Sequence, residues 1–295
     1  MKEMAAEKRV LEGHAVLITG GSSGIGKAIA LACASAGADV AICGRNPDAL
    51  EKAAQEIQGA ASHGQRVLPL RADVSDRHAV DAMVARVSSE LANFTGVVNA
   101  AGILGPKGLL DEVDVEEWIA TVQVNLIGTM LVCRAVLPHF RARQYGKIVN
   151  FSGGGATSPR PRFGAYAASK AAVVRFTENL AHELEGTGIW VNAVAPGAVN
   201  TPMLDEVIAA GPAKVGEAVY ESALKQQAGG GTPVEKPAAL CVMLLSAESD
   251  GVSGRLISAV WDPWESLPAR KQELARTDIY TLRRIVPKDR GLDWQ

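Results

Sequence analysis

The chain has 295 residues, 47% hydrophobic and 5% aromatic, with 30 glycines and a formal net charge of −2, which suits one large aliphatic α/β core and, lacking a basic cluster, offers no field for nucleic acid. Cys33, Cys43, Cys133 and Cys241 are widely spaced, with no Cys-x-x-Cys pair and no histidine cluster, so they read as reduced core thiols and no metal is expected. No apolar run reaches the roughly 18 residues that span a bilayer and the charged start, residues 1–9, has no signal-peptide core, so the expected setting is the cytoplasm, away from membranes, with a small molecule as partner.

Residues 1–12 read as an N-terminal tail, and 13–260 as a single domain. The run Ala15 to Thr19 is a buried strand, and it leads into Gly20-Gly-Ser-Ser-Gly24-Ile-Gly26, which opens an amphipathic helix through Leu31. Glycines let backbone N–H groups approach a pyrophosphate at the positive end of the helix dipole, and Gly26 allows close packing of helix on strand. Gly20, Ser22, Ser23, Gly24, Ile25 and Gly26 are thus candidate phosphate-loop residues. Strands follow at 39–43, 66–70, 96–99, 147–151, 189–194 and 255–259, and helices at 47–60, 77–91, 115–143 and 164–186. Such alternation implies a doubly wound parallel sheet covered on both faces, with ligands at the carboxyl ends of the strands.

In the run Tyr166-Ala-Ala-Ser-Lys170 the phenol and the ammonium are four residues apart, on one helix face. A unit charge about 4 Å away at an effective dielectric of about 20 interacts by roughly 4 kcal/mol, enough to bring a phenol toward neutral pH as an acid or base. Between Thr201 and Pro233 the pattern loosens into a helical stretch and then a three-glycine run, where strongly bent backbone is expected. The segment 200–233 reads either as a mobile lid or as a surface loop. Beyond Val260 an extension, 261–295, carries Trp261, Trp264 and Trp294. It either docks, on a neighbouring subunit or beside the pocket, or stays solvated.

The spacing Thr19-Gly20-x-x-x-Gly24-x-Gly26, the run Asn99-Ala-Ala-Gly102, Asn125, the Tyr166–Lys170 pair and the run Pro196 to Thr201 occur in that order. On these motifs the chain, from about residue 11 to about 260, resembles the short-chain dehydrogenase/reductase family. The resemblance implies a Rossmann-like fold, a nicotinamide dinucleotide, and a reaction that interconverts a secondary alcohol and a ketone. Tyr166 would be the acid/base, Lys170 would lower its pKa and bind the ribose, and Asn125 would help hold a water on the proton route. Asp73 and Val74 would flank the adenine, Asn99, Ala100 and Gly102 the adenosine ribose, and Pro196, Gly197, Val199 and Thr201 the nicotinamide end.

Two departures matter. The family usually places two serines after the fifth strand, whereas here Ser152 is followed by Gly153, so the carbonyl-oxygen donor is Ser152 in an altered turn, or Thr157, Ser158 or a backbone N–H in its stead. This departure also supports an alternative, a dinucleotide-binding regulatory or assembly subunit without turnover. After the second strand, Arg45 and Asn46 stand where a carboxylate would select NAD(H). Arg45 can pair with a 2′-phosphate, so NADP(H) is expected, with NAD(H) as the alternative. Arg160 and Arg162 lie where the family's substrate loop passes, and could bind an anionic group on a keto-sugar or a 3-oxoacyl thioester. The helices 115–143 and 164–186 are expected to carry outward apolar faces at Val132, Val136, Val173 and Leu180, pairing subunits into a homodimer or homotetramer.

Overall fold

The computed structural model describes residues 9–61 and 64–294; most of the expected N-terminal tail lies outside that range. Leu11, inside the stretch read as tail, is fully buried, so packed structure begins earlier than position 13. Strands β1 (Ala15–Thr19), β2 (Asp39–Gly44), β3 (Val67–Arg71), β4 (Phe94–Asn99), β5 (Gly146–Phe151), β6 (Ile189–Ala195) and β7 (Leu256–Ser258) form one parallel sheet in the order β3-β2-β1-β4-β5-β6-β7. Chain direction across the sheet reverses between β1 and β4, and a crevice opens at that point beyond the strand ends.

Alternation of side chains along each strand feeds two cores. Val16, Ile18, Val40 and Ile42 face helices α1 (Gly24–Ser35) and α2 (Pro47–Ala60). Leu17, Ala41 and Val97 face the opposite layer, to which α3 (Arg77–Glu90) contributes Val80, Met83, Val84 and Val87. Helix starts follow capping chemistry. Asn46 Oδ1 accepts from the Ala49 N–H ahead of Pro47, and Asp76 Oδ1 accepts from the His78 N–H. Each satisfies an orphan donor of the first turn.

The expected helix 115–143 is α4 (Val115–Val122), a π-helical turn at Gln123–Gly128, and α5 (Thr129–Arg143). By length and hydropathy Val115–Arg143 is apolar enough to cross a bilayer, an exception to the sequence-level expectation. Here it serves as a core helix, with Val132, Cys133, Val136 and Phe140 fully buried. Together with Val173 and Leu180 of α6 (Gly164–Glu183), Val132 and Val136 are buried within the chain, and Val132, Val136 and Leu180 pack in the second core. The outward apolar faces expected at these four positions are therefore absent, because the residues cover the chain's own sheet. Exposed apolar residues lie instead at Leu109, Leu110, Val115 and Ile119.

The segment 200–233 forms two helices, α7 (Pro202–Val215), kinked at Gly211, and α8 (Glu217–Gly229). Its base is stitched: Val199 bridges to Gly231, and the Thr232 N–H donates to the Ala198 carbonyl at 2.8 Å. The expected sharp bends fall at Gly230 and Gly231, with φ of 83° and 64°. Helix α9 (Glu235–Leu245) then returns to the first core.

The extension packs on its own chain. The Arg255 guanidinium donates to the carbonyls of Leu274, Thr277 and Ile279, Glu178 of α6 accepts from the Leu282 N–H, and Arg175 donates to the Leu282 carbonyl. Leu267 and Leu274, the latter in α10 (Lys271–Ala275), are buried. The tryptophans part company: Trp264 packs on the core and donates to the Ala259 carbonyl, whereas Trp261 and Trp294 are 84% and 76% exposed.

Candidate active site and nucleotide cleft

A cavity of about 360 Å³ opens at the strand ends where the sheet order reverses. Its floor is the glycine turn. Gly20 and Gly24 have φ of 67° and 52°, and a Cβ on Gly26 would lie 2.3 Å from the Gly20 carbonyl oxygen. Only a chain without side chains at these points brings the first turn of α1, with its free N–H groups, up to the cavity. Ser22, Ser23 and Ile25 complete the lining on this side.

Arg45, Asp73 and Val74 line the far end. The Arg45 guanidinium is 4.0 Å from the Asp73 carboxylate, and both side chains are open to solvent. Burial raises the Asp73 pKa, but hydrogen bonds from the Ser75 hydroxyl and N–H, aided by Arg45, more than offset it and hold the carboxyl below its ordinary value. Val74 is held by Gly128 of the π turn, where a Cβ would stand 2.9 Å from a Val74 methyl.

At the other end the cavity is lined by Ser152, Tyr166, Lys170, Pro196 and Thr201. Ser152 Oγ is buried and has no hydrogen-bond partner, an orphan that a ligand oxygen would satisfy. Lys170 is 4% exposed, donates to the Phe151 carbonyl at 2.9 Å, and is pulled down to about 8 by burial. Its ammonium lies 5.7 Å from the Tyr166 ring centre. The expected depression of the phenol by Lys170 is not found: burial pushes the Tyr166 pKa up, and the charge that opposes the rise belongs to Arg160. The reason is geometric, since the lysine is turned toward a strand carbonyl.

Several predicted residues stand behind the cavity wall. Asn125 Oδ1 accepts from the Ile103 N–H at 2.8 Å, and its amide donates to the Ile103 carbonyl and to Ser169 Oγ at 2.9 and 3.0 Å. It ties the loop after β4 to α6. A Cβ on Gly102 would stand 3.0 Å from Asn125 Oδ1 and 3.5 Å from Lys170 Nζ, so Gly102 and Ala100 line the cavity with the asparagine beneath them. Asn99 points into the sheet, donating to Asn150 Oδ1 at 2.9 Å. Asn46 is committed to capping α2. Gly197 has φ 84° and packs on Val260, and Val199 is buried at the base of the α7–α8 hairpin.

Gly153 touches the phenol, and a Cβ there would lie 2.3 Å from Tyr166 Oη. Arg160 and Arg162 separate. The Arg162 guanidinium donates to the Ala213 and Lys214 carbonyls at the end of α7, a structural tie in place of the expected anion contact. Arg160 lies against Phe163 and Tyr166.

The sequence reading missed Met203 and Glu206, which line the cavity from α7. Glu206 pairs at 3.1 Å with Lys107 in the loop after β4, a contact with no sequence signal because its partners are 99 residues apart. Next to the cavity Leu104, Phe163, Leu204, Val207, Val215 and Ala223 make a small apolar cluster. The described residues contain no cluster of metal-ligating side chains.

The glycine cradle and the orphaned serine hydroxyl fit a dinucleotide with a reacting oxygen at its nicotinamide end. Residues 14–211 match the model of the short chain dehydrogenase family. A short chain dehydrogenase of Pseudocercospora fijiensis is 42% identical over 196 residues, 65% of this chain and 62% of the relative, so the chain spans less than two thirds of that protein. Among solved structures, a single-residue variant of actinorhodin polyketide ketoreductase with NADPH has a TM-score of 0.76 at 30% identity, covering 83% of this chain and 95% of that one. The gluconate 5-dehydrogenase of Burkholderia cenocepacia J2315, in complex with NADP and tartrate, has a TM-score of 0.74 at 30% identity, covering 85% and 95%. Sheet order, cleft and sequence agree, and the chain belongs to the short chain dehydrogenase family.

Proposed function

We propose that the protein is an NADP(H)-dependent oxidoreductase that interconverts a secondary alcohol and a ketone, with Tyr166 as the acid/base. The observation that carries this reading is the convergence of the phenol, the Lys170 ammonium and the unpaired Ser152 hydroxyl on one end of a cavity whose other end is the glycine cradle. When bound, the nicotinamide supplies or accepts the hydride. In reduction Tyr166 gives its proton to the substrate oxygen, Ser152 donates a hydrogen bond to that oxygen, and Lys170 holds the nicotinamide ribose. Asn125 keeps the loop carrying Ala100 and Gly102 against α6. Tyr166→Phe is expected to abolish NADPH oxidation across a ketone panel while NADPH binding persists. Binding without oxidation by the unaltered protein would favour a regulatory or assembly role.

NADP(H) preference rests on Arg45, which lines the cavity at the end of β2 and is 66% exposed, free to pair with a 2′-phosphate. The two structural relatives with NADPH or NADP support the same choice. Arg45→Asp should move the ratio of kcat/KM values toward NADH by more than tenfold, and an unchanged ratio would refute the assignment. The apolar cluster beside the cavity favours a substrate with a hydrocarbon or ring portion over a fully hydroxylated sugar. A homodimer or homotetramer is proposed, supported by the exposed Leu110, Val115 and Ile119 on and before α4. Elution as a monomer of 30.9 kDa would contradict it.

A further inference from the structure

Tyr166 Oη occupies the space that a side chain at position 153 would need, so no donor can come from that position unless the phenol moves. Against the ring of the same phenol lies a cation with no acidic partner among the described residues. The Arg160 guanidinium carbon stands 4.3 Å from the Phe163 ring centre and 5.6 Å from that of Tyr166, and Nη1 is 3.1 Å from where a Cβ on Gly154 would be. Among the described residues its side chain makes no hydrogen bond and no ion pair. The two carboxylates lining the cavity are engaged elsewhere, Asp73 with Ser75 and Glu206 with Lys107. Arg160 stands beside the cavity rather than in its lining, and none of its nitrogens is among the fully buried unpaired atoms of the described residues, so the five donors of its guanidinium are open to water or to a ligand. A substrate oxygen beside Tyr166 would satisfy them.

We propose that Arg160 is a catalytic residue: its guanidinium donates to the oxygen of the reacting carbonyl, in place of the hydroxyl that position 153 lacks, and supports Tyr166 as a phenolate. The proposal rests on the alcohol–ketone reading with Tyr166 as acid. In reduction the carbonyl π pair moves to oxygen as hydride arrives from NADPH, the Tyr166 O–H bond breaks, and its proton forms the new alcohol O–H. Arg160 keeps its protons and faces two oxygens on which negative charge develops in turn, first the carbonyl oxygen and then the phenolate. The charged groups around the phenol are Arg160 from the β5–α6 loop, Lys170 one turn along α6, and Glu206 of α7, which Lys107 offsets. Arg160 and Lys170 lie at similar distances from the ring centre of Tyr166, 5.6 and 5.7 Å; Lys170 is turned to the Phe151 carbonyl, and the charge that opposes the rise of the phenol is that of Arg160.

The test uses Arg160→Met, which keeps the stem on Phe163, and Arg160→Ala, which opens a guanidinium-sized space. In the NADP complex, tyrosinate absorbance is titrated as the difference from Tyr166→Phe, and kcat and KM are measured with NADPH on a ketone panel. Both Arg160 variants are expected to titrate the phenol at higher pH and to lose about 10²- to 10³-fold in kcat, as for one lost oxyanion donor, with NADPH binding unchanged. Guanidinium ion, but not an equal concentration of sodium chloride, should restore part of the Arg160→Ala rate. A phenol titration and kcat equal to those of the unaltered protein in either variant would overturn the proposal, while an inactive Tyr166→Phe would leave the dehydrogenase reading standing. Full activity in Tyr166→Phe would instead remove that reading, and this proposal with it.

Discussion

Tyr166 and Gly153 show how two residues 13 positions apart in the chain can form a single steric unit. A Cβ at position 153 would be 2.3 Å from the phenolic oxygen, closer than any tolerated contact. Gly153→Ser, which restores the family's usual residue, is therefore expected to lower kcat. A displacement of the proposed acid by about 1 Å costs on the order of 10²-fold, and steady-state kinetics would show it. A gain in turnover would mean that the phenol moves aside freely. The pairing of Tyr166 with Lys170 was legible because helical spacing alone places both on one face. The direction of the ammonium was not, since it is set by the Phe151 carbonyl at the end of β5, a neighbour only in three dimensions. The same holds for Arg160 and Arg162: adjacent in pattern, they differ because the latter meets the last carbonyls of α7.

At the scale of elements, the first strand–turn–helix unit was readable almost to the residue, because the glycines are dictated by local backbone and by close approach. Gly26→Ala would put a methyl group 2.3 Å from the Gly20 carbonyl oxygen. It should cost about 1–3 kcal/mol by overpacking and weaken NADPH binding, measurable by thermal unfolding with and without NADPH; undiminished binding would detach the glycine turn from the nucleotide. The π turn at Gln123–Gly128 had no local signature, although it presses Gly128 onto Val74 and sets Asn125 under the loop after β4. The α7–α8 hairpin was partly legible. Its bends followed from three glycines, but its stitched base depends on Val199 meeting Gly231 across 32 residues. The Lys107–Glu206 pair joins that hairpin to the opposite rim. A partly exposed pair of this kind contributes about 0–1 kcal/mol and is screened by salt, so Glu206→Gln should change KM only a few-fold and make it less sensitive to ionic strength.

At the scale of the whole molecule, the parallel sheet was foreseeable from strand–helix alternation, whereas the faces of α5 and α6 were misassigned because apolar periodicity does not say which apolar face looks inward. Far from the cleft, Lys147 is 1% exposed and pairs with Asp250 at 2.6 Å. Burial lowers its ammonium from 10.5 to about 8 against the pull of Asp250. The unfolded chain then holds a proton that the folded one has lost, so this group makes stability rise with pH between about 8 and 10.5. Lys147→Met should flatten that rise, checked by comparing urea midpoints of both proteins at pH 7.5 and 9.5; identical pH dependence would refute it. Arg255→Met leaves three carbonyls without their donor; at about 1–3 kcal/mol for each buried group left unsatisfied, the extension should loosen and be cut first in limited proteolysis. Helix α6 joins that anchorage to the cleft, holding Tyr166, the proposed acid, in its opening turn and, roughly 18 Å further along at 1.5 Å per residue, the carboxylate of Glu178 that fastens residue 282. Trimming the chain after position 270 would slacken this lever at its distant end, slowing turnover through a blow struck nowhere near the nucleotide.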